Sequence, residues 1–169
     1  MKQRWALVIL GAWVMGSVCM SIVATQNFYT VDRLLAAPHT ALTATLQKLG
    51  QPAARDLLRY LSSELNRLYF QMWNVAQLVL GAAAWWLVRP RKDAAGKGIL
   101  AMLAIALLML VYLTPAIVSL GRELDFVPRD PAPPGMSRFW VLHAAYTSLE
   151  MLKLVAGLVV AWLLARNAR

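Results

Sequence analysis

The sequence predicts an all-α fold: an integral membrane four-helix bundle, with an amphipathic outer segment between the first and second spans. Three observations carry that prediction. Apolar stretches over residues 5–25, 68–88, 99–120 and 139–165 are each long enough, at about 1.5 Å per residue, to cross a hydrocarbon core of roughly 30 Å. Hydrophobic residues make up 60% of the 169 and mean hydropathy is positive, which sets the chain apart from soluble domains. The basic residues gather at the ends of the apolar stretches, so the net charge of +9 reads as a topology signal and not as a nucleic-acid surface. The whole chain is then a single transmembrane domain, with the lipid bilayer as its first partner.

The first stretch follows Lys2 and Arg4 and runs from Trp5 to Thr25 without a charge. That length exceeds the apolar region of a signal peptide, which favours a retained helix. Ala12 with Gly16, and Ser17 with Ser21, recur at a spacing of four and predict a close-packing face. Cys19 excludes an internal disulfide because it is the one cysteine.

Between residues 26 and 67 the chain is polar enough to leave the bilayer. Pro38 opens one short helix that Gly50 closes, and Pro52 opens a second. In the second, Ala54, Leu57, Leu58, Leu61 and Leu65 share a face opposite Arg55, Arg59 and Ser62. It is expected to lie on the outer surface or to run on into the next span.

That second span carries Tyr69, Phe70 and Trp73 at its outer end and Trp85 and Trp86 at its inner end, as interfacial belts require. Arg89-Pro90-Arg91-Lys92 stops it. The third span contains Pro115, which removes a backbone donor and predicts a kink, with Thr114 beside it to satisfy freed groups. Residues 121–138 hold Pro128, Pro131, Pro133 and Pro134 and read as an irregular outer connection.

Charge balance orients the bundle. One side collects Lys2, Arg4, Arg89, Arg91, Lys92, Lys97, Arg166 and Arg169 against Asp93 alone, while the other sets eight basic residues against six acidic ones. By the excess of positive charge in short loops, the first side is cytoplasmic and both termini lie there, which places the chain in the cell (inner) membrane.

The fourth span is the one with chemistry in it. His143, Tyr146, Thr147, Glu150 and Lys153 recur at spacings of three and four, so they are expected on one inward face, with Glu150 and Lys153 near mid-depth, where charge is costly. Gln71, Asn74 and Gln77 of the second span fall at similar depths and are expected to meet them.

Three readings of this polar site follow. It can be a structural ion pair, Glu150 with Lys153, that locks a non-enzymatic membrane component against itself, a homo-oligomer or a membrane partner protein. It can be a small-ion or metal transport site using His143 and Glu150; a Cu(I) version adds Met15 and Cys19 from the first helix. It can also mark a cofactor-binding redox subunit, in which haem between His143 and His39 would need the outer connection to fold inward. The first needs no cofactor. No phosphate loop, nucleophile elbow, zinc-protease motif or serine triad occurs in the sequence.

Gly11-Ala12-Trp13, Arg67-Leu68-Tyr69-Phe70, Thr114-Pro115 and Phe139 with His143 resemble a family of four-span membrane proteins of unknown function, the bacterial relatives of eukaryotic transmembrane protein 205. In that family hydroxyl residues follow the histidine at three or four positions and often an amide at seven. Here those positions are Tyr146, Thr147 and Glu150, so the carboxylate departs from the pattern. The eukaryotic relative's link to platinum-drug resistance implies metal or small-solute handling.

Overall fold

A computed structural model describes residues 1–36, 40–89 and 93–166, and all of its regular structure is helical. Among the described residues there are five helices: α1 (Lys2–Ala36), α2 (Thr40–Leu49), α3 (Gln51–Val88), α4 (Ala94–Glu123) and α5 (Met136–Arg166). Pro38, His39, Pro90, Arg91, Lys92 and Arg169 lie outside the described residues.

The four long helices form a ring in which α1 and α4 each pack on both α3 and α5. Helices α3 and α5 therefore face each other diagonally across the centre. The N-terminus of α1 and the C-terminus of α5 lie together, tied by a hydrogen bond from the Gln3 side chain to the Leu164 carbonyl. This is the terminal end of the bundle. The opposite, connection end carries α2 and residues 124–135.

Helices α1, α4 and α5 are long and apolar enough to cross a membrane, and only 22–28% of the residues in their most apolar windows are buried within the chain. Large side chains such as Val8, Met15, Ile22, Leu107, Val111, Val155 and Leu158 point outward. A surface of that kind fits lipid. Helix α3 is less apolar than the other three because Gln71, Asn74 and Gln77 interrupt it.

The helix ends follow local chemistry, with two departures from expectation. Gly50 adopts φ 77°, a left-handed conformation that glycine supplies without strain, and Pro52 sits in the first turn of α3. From there α3 runs 38 residues without a break, about 57 Å. The amphipathic segment is thus the first half of α3 and not a separate surface helix. Its buried residues are Ala54, Ser62 and Asn66, whereas Leu57 and Leu61 are exposed. The reason is a polar seam with α1, which itself extends to Ala36: Ser62 donates to the Asn27 carbonyl, Asn66 to the Ala24 carbonyl, and Asn27 to the Asn66 side chain.

In α4, Asp93 caps the first turn by accepting from the Gly96 amide at 3.2 Å. The disturbance expected at Pro115 takes the form of a π-turn over Met109–Leu113, closed by the Thr114 amide on the Met109 carbonyl. One wide turn accommodates the missing donor.

Packing is tightest toward the terminal end. Leu10, Trp13, Ala84, Ile99, Met102 and Leu164 are almost fully buried there. Glycine lets the helices approach: a Cβ on Gly81 would run into the Trp13 ring and Leu103. The close-packing face of α1 is Ala6, Leu10, Trp13 and Ser17, spaced by three and four; Ala12 and Ser21, expected on that face, are exposed. The large ring of Trp13 claims the interior, and α1 turns to place it there.

A buried polar network joins all four long helices

In α5 the buried residues are Tyr146, Glu150, Lys153, Gly157, Val160 and Leu164, at spacings of four and three, the period of a helix packed in a bundle. Polar residues occupy the first three of these positions. On α3 the buried series Asn66, Asn74, Gln77, Gly81, Ala84 and Val88 likewise begins polar and ends apolar. The polar halves of the two series meet at the bundle centre.

Gln77 is the hub. Its side-chain oxygen accepts from the Trp13 indole at 2.9 Å and from the Lys153 ammonium. Its amide nitrogen donates to the Asn74 oxygen at 3.2 Å, which also accepts from the Tyr146 hydroxyl at 3.2 Å. The Asn74 nitrogen donates to Thr114 Oγ1 at 2.7 Å. On the other flank, Lys153 Nζ lies 2.9 Å from Glu150 Oε2, and Ser17 donates to Glu150 Oε1 at 2.5 Å. Gln77 and Asn74 are 0% exposed and Lys153 1%, so a partner lost there leaves a buried polar group unpaired, while Glu150, 6% exposed, borders a cavity.

Of the predicted site, Tyr146, Glu150, Lys153, Asn74 and Gln77 come together here. Gln71, His143 and Thr147 do not. Gln71 is exposed because Phe70, one residue earlier, takes the inward position beside Tyr146, with ring centroids 5.5 Å apart. Thr147 sits about 100° round the helix from Tyr146 and donates to its own helix at the His143 carbonyl, 3.0 Å away. The His143 ring packs against Phe139 and Trp140.

Met15 and Cys19 point outward, on the side of α1 opposite Ser17, so the Cu(I) set with His143 is not assembled. Among the described residues no three His, Cys, Asp or Glu side chains are grouped to hold a metal. His39, the second haem ligand considered, lies outside the described residues.

Sequence reasoning missed Trp13, Ser17 and Thr114 as members. Trp13 carried a signal: a tryptophan at mid-helix, away from either interface, needs an acceptor for its N–H. Thr114 was expected to serve the backbone freed by Pro115; the π-turn does that, which leaves its hydroxyl for Asn74.

A second polar cluster lies at the connection end. Arg67 makes a bidentate contact with Asp125 at 2.8 and 3.0 Å and reaches Glu64 at 2.5 Å, while Arg122 lies 3.3 Å from Glu64. Hydrogen bonds from Arg122 and then Arg67 hold the Glu64 carboxyl below its ordinary range.

Two cavities open between these clusters. One of about 790 Å³ lies under residues 124–129 and reaches Thr114 and Tyr146; the other, of about 530 Å³, runs along α1 between Asp32 and Ser17 and is lined by Glu150. His143 and Tyr146 border both.

No family model, curated protein or solved structure matches the chain. The fold and site define it only as an all-helical protein with three candidate membrane spans, so function has to be argued from the residues.

Proposed function

We propose that the chain is a four-span integral protein of the cell (inner) membrane, both termini cytoplasmic, that serves as a non-enzymatic membrane component. Helix α3 supplies the second span, the one that its composition alone does not mark. It packs antiparallel along α1, with Gln77 opposite Trp13 and Asn66 opposite Asn27, so if α1 crosses the bilayer residues 68–88 must accompany it. Orientation is supported by cations over exposed indoles at the terminal end, Arg89 3.7 Å from the Trp86 ring and Arg166 5.4 Å from Trp162.

The observation that carries the component reading is the mutual engagement of polar side chains from all four long helices. Lys153, Gln77, Asn74, Tyr146 and Thr114 are engaged with one another, and Trp13 and Ser17 complete the set from α1. Such an arrangement fixes which helices pack together and in what register. The relationship to the transmembrane protein 205 relatives belongs to the same proposal; its support is the shared Thr114-Pro115 and Arg67, both structurally engaged here. Purification from native membranes in mild detergent tests the reading. A stoichiometric partner or a defined homo-oligomer is expected; a monomer without a partner would count against it.

The cavities favour one second reading. They adjoin at His143, and one extends to Glu150, as a path for a small ion would. Glu150→Gln in proteoliposomes decides it: lost flux in a folded protein supports a transport path, and unchanged flux removes it.

A further inference from the structure

The larger cavity is the part of the molecule that the polar network does not explain. Its volume of about 790 Å³ falls in the range of built ligand sites. Tyr60, Phe70, Phe126, Phe139 and Trp140 wall it, and Tyr60 meets Phe126 ring to ring at 5.1 Å. Along α5 it spans Met136 to Tyr146, about 15 Å. At its floor the Tyr146 hydroxyl and Thr114 are already engaged with Asn74.

The mouth is different. Arg67 is neutralised by Asp125 and Glu64, but Arg59 has no carboxylate partner among the described residues, and Arg129 contacts only the Met136 sulfur, at 3.4 Å. Among the described residues that line the cavity, Asp56 is the one acidic side chain outside the Arg67 cluster. A long, aromatic-walled slot beneath two available guanidiniums matches a molecule with an apolar tail and a phosphate head. Trp140 is both a wall of the slot and 58% exposed on the outer surface, which gives a tail a sideways entrance.

The geometry points to a lipid site: the cavity between α3, α4, α5 and residues 124–129 holds one phosphate-bearing lipid, its tail against Phe70 and Phe139 and its head at Arg59 and Arg129. This rests on the bilayer reading above. A phosphate-bearing lipid, and not free phosphate, is the ligand because the aromatic walls reward a tail while the arginines take the head.

Native mass spectrometry of the detergent-purified full chain tests it, using phosphatidylglycerol, a diacylglycerol with the same chains, and free glycerol phosphate. One phospholipid per chain is expected, bound at least tenfold tighter than diacylglycerol, with no competition from glycerol phosphate. Replacing both arginines, R59Q with R129Q, should erase the tenfold preference. Ser63→Trp, which fills the cavity from α3, should weaken both lipids together. Equal binding of the two lipids by the unaltered chain, full retention by the arginine double variant, or displacement by glycerol phosphate would overturn the assignment. A chain that stays in carbonate-washed membranes yet binds no phospholipid defeats this inference while leaving the bilayer reading intact.

Discussion

The two halves of the bundle solve the same problem differently. At the terminal end, Leu10, Trp13, Ala84, Ile99 and Leu164 close the interior, and Gly81 lets Trp13 and Leu103 approach. At the connection end the interior is not closed: two cavities open there, and ion pairs supplement a smaller apolar cluster of Met109, Leu113 and Tyr146. The network on Gln77 lies at the boundary. The contrast teaches that lipid-exposed helices gain little from apolar burial, since acyl chains are equally apolar, so register is set by whichever contacts lipid cannot imitate. Close packing serves one half and polar pairing the other.

Breaking the boundary should have the largest effect. Lys153→Met leaves Glu150 buried with only Ser17, and should cost about 3 kcal/mol, read as a fall in thermal unfolding temperature in detergent. Adding Glu150→Gln to that variant removes the uncompensated charge and should restore most of the loss. If the single and double variants were equally unstable, the pairing would not be what holds the centre.

Overfilling the packed half comes next. Gly81→Leu drives a side chain into Trp13 and should cost roughly 1–3 kcal/mol, whereas Gly11→Leu, at a position with no neighbour within 4 Å, should be close to neutral. Equal tolerance at both sites would erase the distinction between the halves.

The smallest effect belongs to the ion pairs at the connection end. Glu64→Gln should cost about 1 kcal/mol or less, because the carboxylate is partly exposed. The folded protein holds the Glu64 carboxyl below its unfolded value, so its contribution is complete above the unfolded value and is lost as pH falls through the folded one. The difference in unfolding temperature between the unaltered chain and Glu64→Gln should accordingly narrow below about pH 4. A constant difference across that range would remove Glu64 from the account.

The halves also differ in how far the sequence revealed them. Three long apolar helices, the Gly50-Pro52 boundary and the inward placement of Tyr146, Glu150, Lys153, Asn74 and Gln77 were legible, because charge and amide groups in an apolar helix have few places to go. Gln71, His143 and Thr147 were not separable from them by spacing alone, since three- and four-residue steps admit a face broader than the buried stripe. Leu57 and Leu61 were misleading for a different reason: Ser62 and Asn66 find carbonyl and amide partners on α1 and took the interior, which left the leucine face outward. The Arg67 cluster joins residues 58 positions apart in the chain, and no local pattern announces that.

The central claim is that α3 crosses the bilayer with the other three helices and so hides the Gln77 network from both aqueous sides. Cysteine labelling in intact cells tests it directly, with Cys19 replaced and single cysteines introduced at Gln47 on α2 or Lys97 on α4, both exposed. A membrane-impermeant maleimide should react at position 47 in intact cells and at position 97 only after the membrane is opened. Labelling of both positions from the same side would mean that α3 does not cross, and the account would fail.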